Sequence, residues 1–369
     1  MKYYIIAGEA SGDLHASNLI KAIREEDPQA EIRAWGGDLM EAAGAEVVKH
    51  YRDLAFMGFV EVVRNLRTIL GNFKACKADI LEFRPDALIL VDYPGFNLRM
   101  AKWAKTVDLK VFYYISPQLW AWHSSRVHGI KANIDRMFVI LPFEEEFYAE
   151  YDYDVDFVGH PLLDVVEDYQ PNVDLREKYN WSDQKIIAVL PGSRRQEISR
   201  MLPDMLKMAT HFPDYRFVVA GAPAIPDEFY QPFLKEAADN VQLVSGRTYD
   251  LLNEAHSALV TSGTATLETG LFGVPQIVCY RGSSLSYLIA RRLVNVKYIS
   301  LVNLVLDRPL LRELIQTEFQ PKVLKKELEK LLTPEEQGRL RAGYEELQDK
   351  LGHAGAAKRT AQLMKTYLK

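Results

Sequence analysis

Short apolar runs alternate with helical stretches along this chain, and the alternation restarts once near the middle. The first half carries such runs at 3–7, 87–91, 111–115 and 137–141, with helical stretches that include 13–26 and 97–105. The second half carries them at 186–190, 217–220, 241–244, 258–260 and 276–279. Uninterrupted apolar runs of this kind are typical of strands buried on both faces of a parallel sheet. The pattern predicts an α/β fold with two doubly wound, Rossmann-like domains.

The join between the two domains is predicted after His160 and Pro161, where the chain becomes polar and loses any clean period. We expect a first domain at 1–165, a second at 166–345, and a helical tail at 346–369 that packs back across the domain boundary. The carboxyl ends of the two sets of strands are expected to face a common cleft, because open sheets bind ligands at that edge.

Charge and cysteine content narrow the class of protein. The formal net charge of -5 disfavours a general nucleic-acid-binding surface. Cys76 and Cys279 are far apart and lack metal-type spacing, which fits a reducing compartment and predicts neither a disulfide nor a zinc site. The run at 3–7 is too short for an export signal, and no apolar run approaches the roughly 20 residues of a membrane span. We therefore expect a cytoplasmic protein, soluble or peripheral.

The first candidate site follows the first predicted strand and opens a helix. Gly8, Glu9, Ser11, Gly12 and Asp13 belong to the run GEASGD. Glycines allow close approach of the backbone to a ligand, and free N–H groups at a helix start attract anions. These residues are candidate substrate contacts; the alternative is a tight turn capped by Ser11 or Asp13.

The second candidate site is the run DYPGFN directly after the apolar run 87–91. A carboxylate at the end of a buried strand can be desolvated, which raises its pKa toward that of a general base. Asp92 is therefore the candidate catalytic residue, with Asn97 beside it. The alternative is an Asp that helps a Pro-Gly turn to cap the next helix.

The third candidate site, SPQLWAWH, follows the predicted strand 111–115. Ser116, Gln118 and Trp120 combine a polar rim with a flat apolar face that suits a sugar or an acyl chain; core packing is the alternative. His160, in FVGHP, is a further candidate contact, although a lone histidine is more often structural.

Two glycine turns in the second half have the character of phosphate sites. Gly192, Ser193, Arg194 and Glu197 follow the run 186–190, and the Arg194 guanidinium could balance the charge of a departing diphosphate. The alternative is a surface turn with a solvated pair of arginines.

The other turn, Ser262, Gly263 and Thr264, opens a helix after the run 258–260. Glu268 lies in the first turns of that helix, where a carboxylate can accept both hydroxyls of a ribose. Helix capping by Ser262 or Thr264 is part of the explanation of this turn, but it leaves Glu268 unexplained.

Segment 56–74 carries an apolar stripe at helical spacing beside the cations Arg64, Arg67 and Lys74. Such a face suits docking on anionic lipid, and an amphipathic helix buried on its own domain is the alternative.

The ordered motifs GEASGD, DYPGFN, SPQLWAWH, FVGHP, LPGSRRQE, TSGTATLE and YISLVNLVL span positions 8–306. Together they resemble the lipid-A-disaccharide synthase family. The resemblance implies a GT-B fold, no metal or other cofactor, and an inverting hexosyl transfer. It implies UDP-2,3-diacylglucosamine as donor, 2,3-diacylglucosamine 1-phosphate as acceptor, and a β-1,6-linked tetraacyl disaccharide 1-phosphate and UDP as products. It also implies peripheral attachment to the inner face of the inner membrane, and a homodimer is a candidate assembly.

The resemblance assigns roles to four residues of this sequence. It implies that Asp92 is the strand-end acid, Arg194 the diphosphate-side cation, Glu268 the ribose ligand and Asn303 a contact in the later loop. Two positions depart from the family pattern: Gly95 replaces a second Asp, which gives more weight to Asp92, and Val302 replaces a Pro before Asn303.

Two other functions fit part of this pattern. A GT-B-fold UDP-sugar 2-epimerase would share the nucleotide-binding half but would not need the stripe at 56–74. A non-catalytic, membrane-associated nucleotide-sugar-binding protein would have no use for Asp92 once its ligand is bound.

Overall fold

The computed structural model describes residues 1–53, 66–121, 124–171, 174–179, 181, 183–282 and 297–369. The chain divides into two compact units, one formed by Met1–Asp164 with Gly352–Lys369 and the other by Val165–Leu351. In the described ranges, no helix is both long enough and apolar enough to cross a membrane.

The first unit contains a parallel sheet. Its strands are β1 (Lys2–Ala7), β2 (Glu31–Gly36), β3 (Glu46–His50), β4 (Ala87–Val91), β5 (Lys110–Tyr114), β6 (Arg136–Val139) and β7 (Asp156–Phe157). Their spatial order is β3-β2-β1-β4-β5-β6-β7. Its helices are α1 (Ala10–Glu26), α2 (Asp38–Ala42), α3 (Leu66–Phe83), α4 (Pro94–Thr106), α5 (Val127–Asn133), α6 (Phe143–Ala149) and α7 (Pro161–Glu167), which crosses into the second unit.

The second unit repeats the architecture. Its strands are β8 (Lys185–Leu190), β9 (Tyr215–Gly221), β10 (Val241–Ser245), β11 (Ala255–Thr261), β12 (Gln276–Tyr280) and β13 (Arg312–Ile315), in the spatial order β10-β9-β8-β11-β12-β13. Its helices are α8 (Leu175–Tyr179), α9 (Arg195–Leu206), α10 (Gln231–Lys235), α11 (Thr248–Glu254), α12 (Thr264–Leu271), α13 (Leu301–Leu306), α14 (Pro321–Leu331) and α15 (Pro334–Leu351).

Both sheets are buried on two faces, as the uninterrupted apolar runs predict. Successive strand residues point to opposite faces, so Tyr3 and Ile5 enter one cluster of buried side chains while Tyr4 and Ile6 enter another. The strand pairs in both sheets are parallel. The prediction of two doubly wound, Rossmann-like α/β domains is confirmed.

The last helix, α16 (Ala356–Leu368), belongs to the first unit. Ala361 and Met364 lie in the same buried cluster as α1 residues such as Leu19 and Ile20. The Arg359 guanidinium donates to the carbonyl of Val158 at 2.8 Å. Helix α16 therefore packs with α1 on the first sheet.

Each sheet reverses its strand order once, between β1 and β4 in the first unit and between β8 and β11 in the second. Neighbouring helices leave opposite faces of the sheet at such a point, which opens a crevice at the strand ends. The runs GEASGD and DYPGFN follow β1 and β4, while Pro191–Glu197 and Ser262–Glu268 follow β8 and β11. Four of the candidate motifs therefore lie at the two switch points.

Candidate active site

The two loops at the first switch point are in contact, because the backbone of Gly8 packs closely against the ring of Tyr93. A Cβ on Gly8 would lie 2.2 Å from the ring of Tyr93, so this position accommodates only glycine. Glu9 and Ser11 are exposed at the start of α1, and Gly12 is buried against Ala7. The loop after β1 therefore places an exposed polar edge beside the loop after β4.

Three hydrogen bonds hold the backbone of Asp92, and none of these three involves its carboxyl group. Its carbonyl oxygen accepts from Asn97 Nδ2 at 2.8 Å and from the Tyr113 hydroxyl at 2.5 Å, and its N–H donates to the Tyr114 carbonyl at 3.1 Å. Burial, and to a smaller extent the negative charge of Glu9, raise the pKa of Asp92 to about 6 against the opposing effect of the Tyr93 N–H. A carboxyl group with this pKa is ionised at neutral pH yet remains a competent proton acceptor.

Asn97, whose amide donates to the Asp92 backbone carbonyl, is fully buried. Its amide also donates to the Val91 carbonyl at 3.2 Å and to the Ile6 carbonyl at 3.4 Å. The amide therefore ties the ends of β1 and β4 together. Direct contact of Asn97 with substrate stays a prediction; its visible role is to hold the Asp92 backbone.

Asp13 is likewise buried, and its carboxylate serves the protein backbone. It accepts N–H bonds from Gly37 at 2.8 Å, Met40 at 3.1 Å and Leu39 at 3.2 Å, at the start of α2. Its predicted contact with substrate stays a prediction, and its hydrogen bonds fix the first turn of α1 to the start of α2.

Ser116, after β5, belongs to a buried polar network. Its hydroxyl lies 2.7 Å from that of Tyr148, and burial raises the pKa of nearby Glu144 to about 7. Glu144 accepts N–H bonds from Ile140 and Leu141, which lower its pKa.

The rest of the SPQLWAWH motif is only partly described. Gln118 is exposed, and the Trp120 ring packs edge-on against Phe143 at 5.0 Å. Trp122 and His123 lie outside the described residues.

His160 follows β7 and is buried. Its Nδ1 accepts the Leu162 N–H at 3.2 Å, and burial, aided by His15, lowers its pKa to about 3. The imidazole is therefore neutral at physiological pH. A neutral ring can form a hydrogen bond to a ligand but cannot supply charge to bind a phosphate.

The second unit contains a cavity of about 790 Å³ at its switch point. Both glycine turns line it: Gly192, Ser193, Arg194 and Glu197 from one side, and Ser262, Gly263, Thr264 and Glu268 from the other. All eight predicted residues of the two turns are therefore brought together. The volume falls within the range of small-molecule sites.

Glu197 shapes the first of these turns. Its carboxylate accepts the N–H groups of Ser193 at 3.2 Å and Arg194 at 3.3 Å, and it pairs with the Arg194 guanidinium at 3.2 Å. A Cβ at Gly192, whose φ is 117°, would lie 2.7 Å from the same carboxylate. The Arg194 side chain is 74% exposed, so it can turn toward an anion in the cavity at little cost in desolvation.

Glu268 lies on the wall of the cavity, held by a neighbour that the sequence did not single out. The Tyr249 hydroxyl donates to Glu268 Oε1 at 2.7 Å, and the Tyr249 ring stacks on Phe272 at 5.3 Å. Burial raises the pKa of Glu268, and the bond from Tyr249 opposes this shift. No group of the described residues donates a hydrogen bond to the other oxygen, Oε2, of this cavity-lining carboxylate. The sequence feature that could have identified Tyr249 as a site residue is its position shortly after β10.

Asn303 does not line this cavity; it borders a separate one of about 240 Å³. The residue is helical and fully buried, and its amide pairs with both polar groups of the Leu311 backbone, at 2.8 and 3.0 Å. Val302, the residue that replaces Pro, lies inside the same helix. Contact of Asn303 with substrate stays a prediction.

No cluster of three or more His, Cys, Asp or Glu side chains suited to a metal ion occurs in the part of the chain that the structure describes. That the activity does not require a metal ion stays a prediction.

Two Rossmann-like domains, each with its candidate loops at a switch point, are the fold of the GT-B class of glycosyltransferases and related epimerases. The fold resembles a glycosyltransferase of kitacinnamycin, with a TM-score of 0.68, 16% identity and coverage of 100% of this chain and 99% of that one. It also resembles a UDP-GlcNAc 2-epimerase from Neisseria meningitidis solved with UDP-GlcNAc, with a TM-score of 0.66, 12% identity and coverage of 99% and 100%. Identities this low show the fold alone.

The sequence comparisons identify the family within this class. The family model described as lipid-A-disaccharide synthetase matches residues 3–367. A lipid-A-disaccharide synthase of Syntrophus aciditrophicus is 41% identical over 372 residues, covering 99% of this chain and 97% of that protein. One of Trichlorobacter lovleyi is 39% identical over 366 residues, covering 98% and 96%. The chain belongs to the lipid-A-disaccharide synthase family and is a glycosyltransferase. The epimerase alternative has only the shared fold in its favour.

Proposed function

We propose that this glycosyltransferase joins UDP-2,3-diacylglucosamine to 2,3-diacylglucosamine 1-phosphate, with Asp92 as general base. Asp92 takes the proton from the acceptor's 6-hydroxyl as that oxygen attacks the anomeric carbon, and UDP leaves from the opposite face. The observation that carries the role is a carboxyl group at the switch point of the first sheet whose pKa is raised to about 6.

The cavity of the second unit is the proposed donor site. Arg194 and the backbone N–H groups at the start of α12 would stabilise the negative charge that develops on the diphosphate. Gly263, with a φ of 136°, precedes that helix, and a Cβ added there would meet no non-neighbouring atom within 4 Å. Glu268 Oε2 would accept the ribose hydroxyls while Tyr249 holds the other oxygen.

Product analysis tests the proposal. Purified protein is incubated with both diacyl sugars in excess EDTA, and the products are examined by mass spectrometry. We expect a tetraacyl disaccharide 1-phosphate and one equivalent of UDP, since protein cations and dipoles supply the neutralisation. Release of a 2-epimerised sugar without a disaccharide would contradict the proposed reaction. Loss of activity that Mg²⁺ restores would contradict its metal-free form.

We also propose attachment to the inner face of the inner membrane through segment 56–74. Residues 56–65 of that segment lie outside the described residues. The described part of α3 supports the proposal in one respect: Leu70 is 58% exposed, and Lys74, one helical turn later, is exposed as well. An apolar side chain beside a cation is the combination that an anionic lipid surface binds.

A further inference from the structure

Ser262 depends on a neighbouring turn for its orientation. Its hydroxyl donates to the Ile299 carbonyl at 2.7 Å. Ser262 also lines the cavity of the second unit, immediately before Gly263 and the start of α12. A shift of the Ile299 carbonyl would therefore change the rotamer of a residue in the proposed diphosphate loop.

The Ile299 backbone is held by Glu313, a residue of β13. The Glu313 carboxylate accepts the N–H of Ile299 at 3.0 Å and the N–H of Ser300 at 2.9 Å. It also accepts from Asn303 Nδ2 at 3.0 Å. The hydrogen bonds that Glu313 accepts in the described ranges come from two backbone N–H groups and one side-chain amide. Bonds from N–H groups to an ionised carboxylate are among the stronger ones in proteins.

Asn303 completes the connection. Its amide is bonded to the Leu311 backbone on one side and to Glu313 on the other, and its own N–H donates to the Ser300 hydroxyl at 3.3 Å. Ser300 and Asn303 are fully buried. Segment 297–303, which includes the start of α13, is thus fixed to the edge strand of the second sheet.

We propose that Glu313 is a positioning residue for the donor site, acting through Ile299 on Ser262. The inference rests on the proposed function, since it takes the cavity as the UDP site. Glu313 borders the smaller cavity and not the larger one, so it acts without touching the nucleotide.

The test is a double-mutant cycle on UDP affinity, measured by titration calorimetry at a temperature where every variant is folded. Glu313→Gln replaces one acceptor oxygen with an NH₂ group that faces N–H donors, so we expect UDP to bind about 5- to 30-fold more weakly. Ser262→Ala should weaken binding too, and the double variant should bind about as well as Glu313→Gln alone, because both changes break one connection. Glu318→Gln, the same substitution at an exposed ion pair with Arg312, is the matched control and should leave affinity unchanged.

The outcomes are distinguishable. Unchanged UDP affinity in Glu313→Gln, or losses that multiply in the double variant, would overturn the inference. A purely structural role would lower the melting temperature without changing affinity. If Glu313→Gln does not fold, Ser262→Ala decides the matter, because unchanged affinity there would also overturn the inference. Failure of the wild-type protein to bind UDP would instead contradict the proposed donor site.

Discussion

Asp92 and Tyr93 are consecutive residues in the left-handed backbone region, with φ values of 46° and 48°. Among non-glycine residues, Asp and Asn adopt this conformation most readily. Asp92→Asn can therefore retain the local backbone while removing the charge. This makes the substitution a clean probe of what the carboxylate does.

The raised pKa of Asp92 predicts the pH dependence of turnover. The carboxyl group must be ionised to accept a proton, so kcat/KM should fall tenfold per pH unit below about pH 6. The pH–rate profile of the wild-type protein measures this. A profile that stays flat down to pH 4.5, with the protein still folded, would exclude this group as the base.

The same pKa shift predicts a difference in stability between Asp92→Asn and the wild-type protein, which tests the shift independently of turnover. Folding raises the pKa from 3.8 to about 6, so the ionised carboxylate destabilises the folded state above pH 6 and has no effect well below pH 4. Asp92→Asn should therefore be more stable than wild type by about 1–3 kcal/mol at pH 8. The gain should shrink as the pH falls toward 4, as measured by denaturant titration.

The sequence predicted which loops follow the strands at the two switch points, but not which of their polar side chains form hydrogen bonds within the protein. Asn97 donates to a carbonyl of Ile6, which is 91 positions away, and Asn303 donates to Glu313 of β13, a strand absent from the sequence prediction. A motif shows which residues are polar. It does not show what folds against them.

Among the elements, the start of α9 is the one whose geometry most directly shapes the proposed donor site. Gly192 adopts a φ of 117°, and the Glu197 carboxylate folds back over it to accept two backbone N–H groups. An added Cβ would clash with that carboxylate. The turn can therefore keep its shape only with glycine at this position.

Gly192→Ala should weaken UDP binding about tenfold or more and destabilise the protein by about 1–3 kcal/mol, because it combines an unfavourable φ with the clash. Gly338→Ala is the matched control: that glycine lies in α15, and its Cβ would meet no atom within 4 Å. The control should keep its UDP affinity and gain about 0.5–1 kcal/mol of stability. Equal behaviour of the two variants in calorimetry and thermal melting would contradict this account of the turn.

Most central strands were predictable from apolar runs because they are buried on both faces; β4, for example, was expected at its observed bounds of Ala87–Val91. Strands β2, β3, β7 and β13 were not predicted. β3 and β13 contain exposed and half-buried residues, and β7 has two residues. β2 lies inside the sheet, but Glu31 and Arg33 interrupt its apolar run. The apolar-run pattern misses strands of these kinds, whereas it predicted β10 although that strand lies at a sheet edge.

At the scale of the whole molecule, charge and exposed apolar area determine whether the protein binds to a membrane surface. A protein with a net charge of -5 is repelled by an anionic membrane unless a local patch overcomes the repulsion. Cations near such a surface contribute about 1 kcal/mol each. The sum predicts weak, salt-sensitive binding.

Changing Arg64, Arg67 and Lys74 together to Glu should release the protein from anionic vesicles in a sedimentation assay. Turnover of a short-chain, water-soluble acceptor should survive, because the residues of the proposed site are unchanged. Vesicle binding that responds neither to salt nor to these charges would show that the stripe is packed inside its own domain.

The rate of disaccharide formation by Asp92→Asn tests the central claim most directly. The amide retains the shape of the side chain but cannot accept the proton, so turnover at pH 8 should fall by about 10²–10⁴. UDP affinity, measured on the same preparation, should match that of the wild-type protein. A variant that folds, binds UDP and forms disaccharide at near wild-type rate would contradict the assignment of Asp92 as the general base.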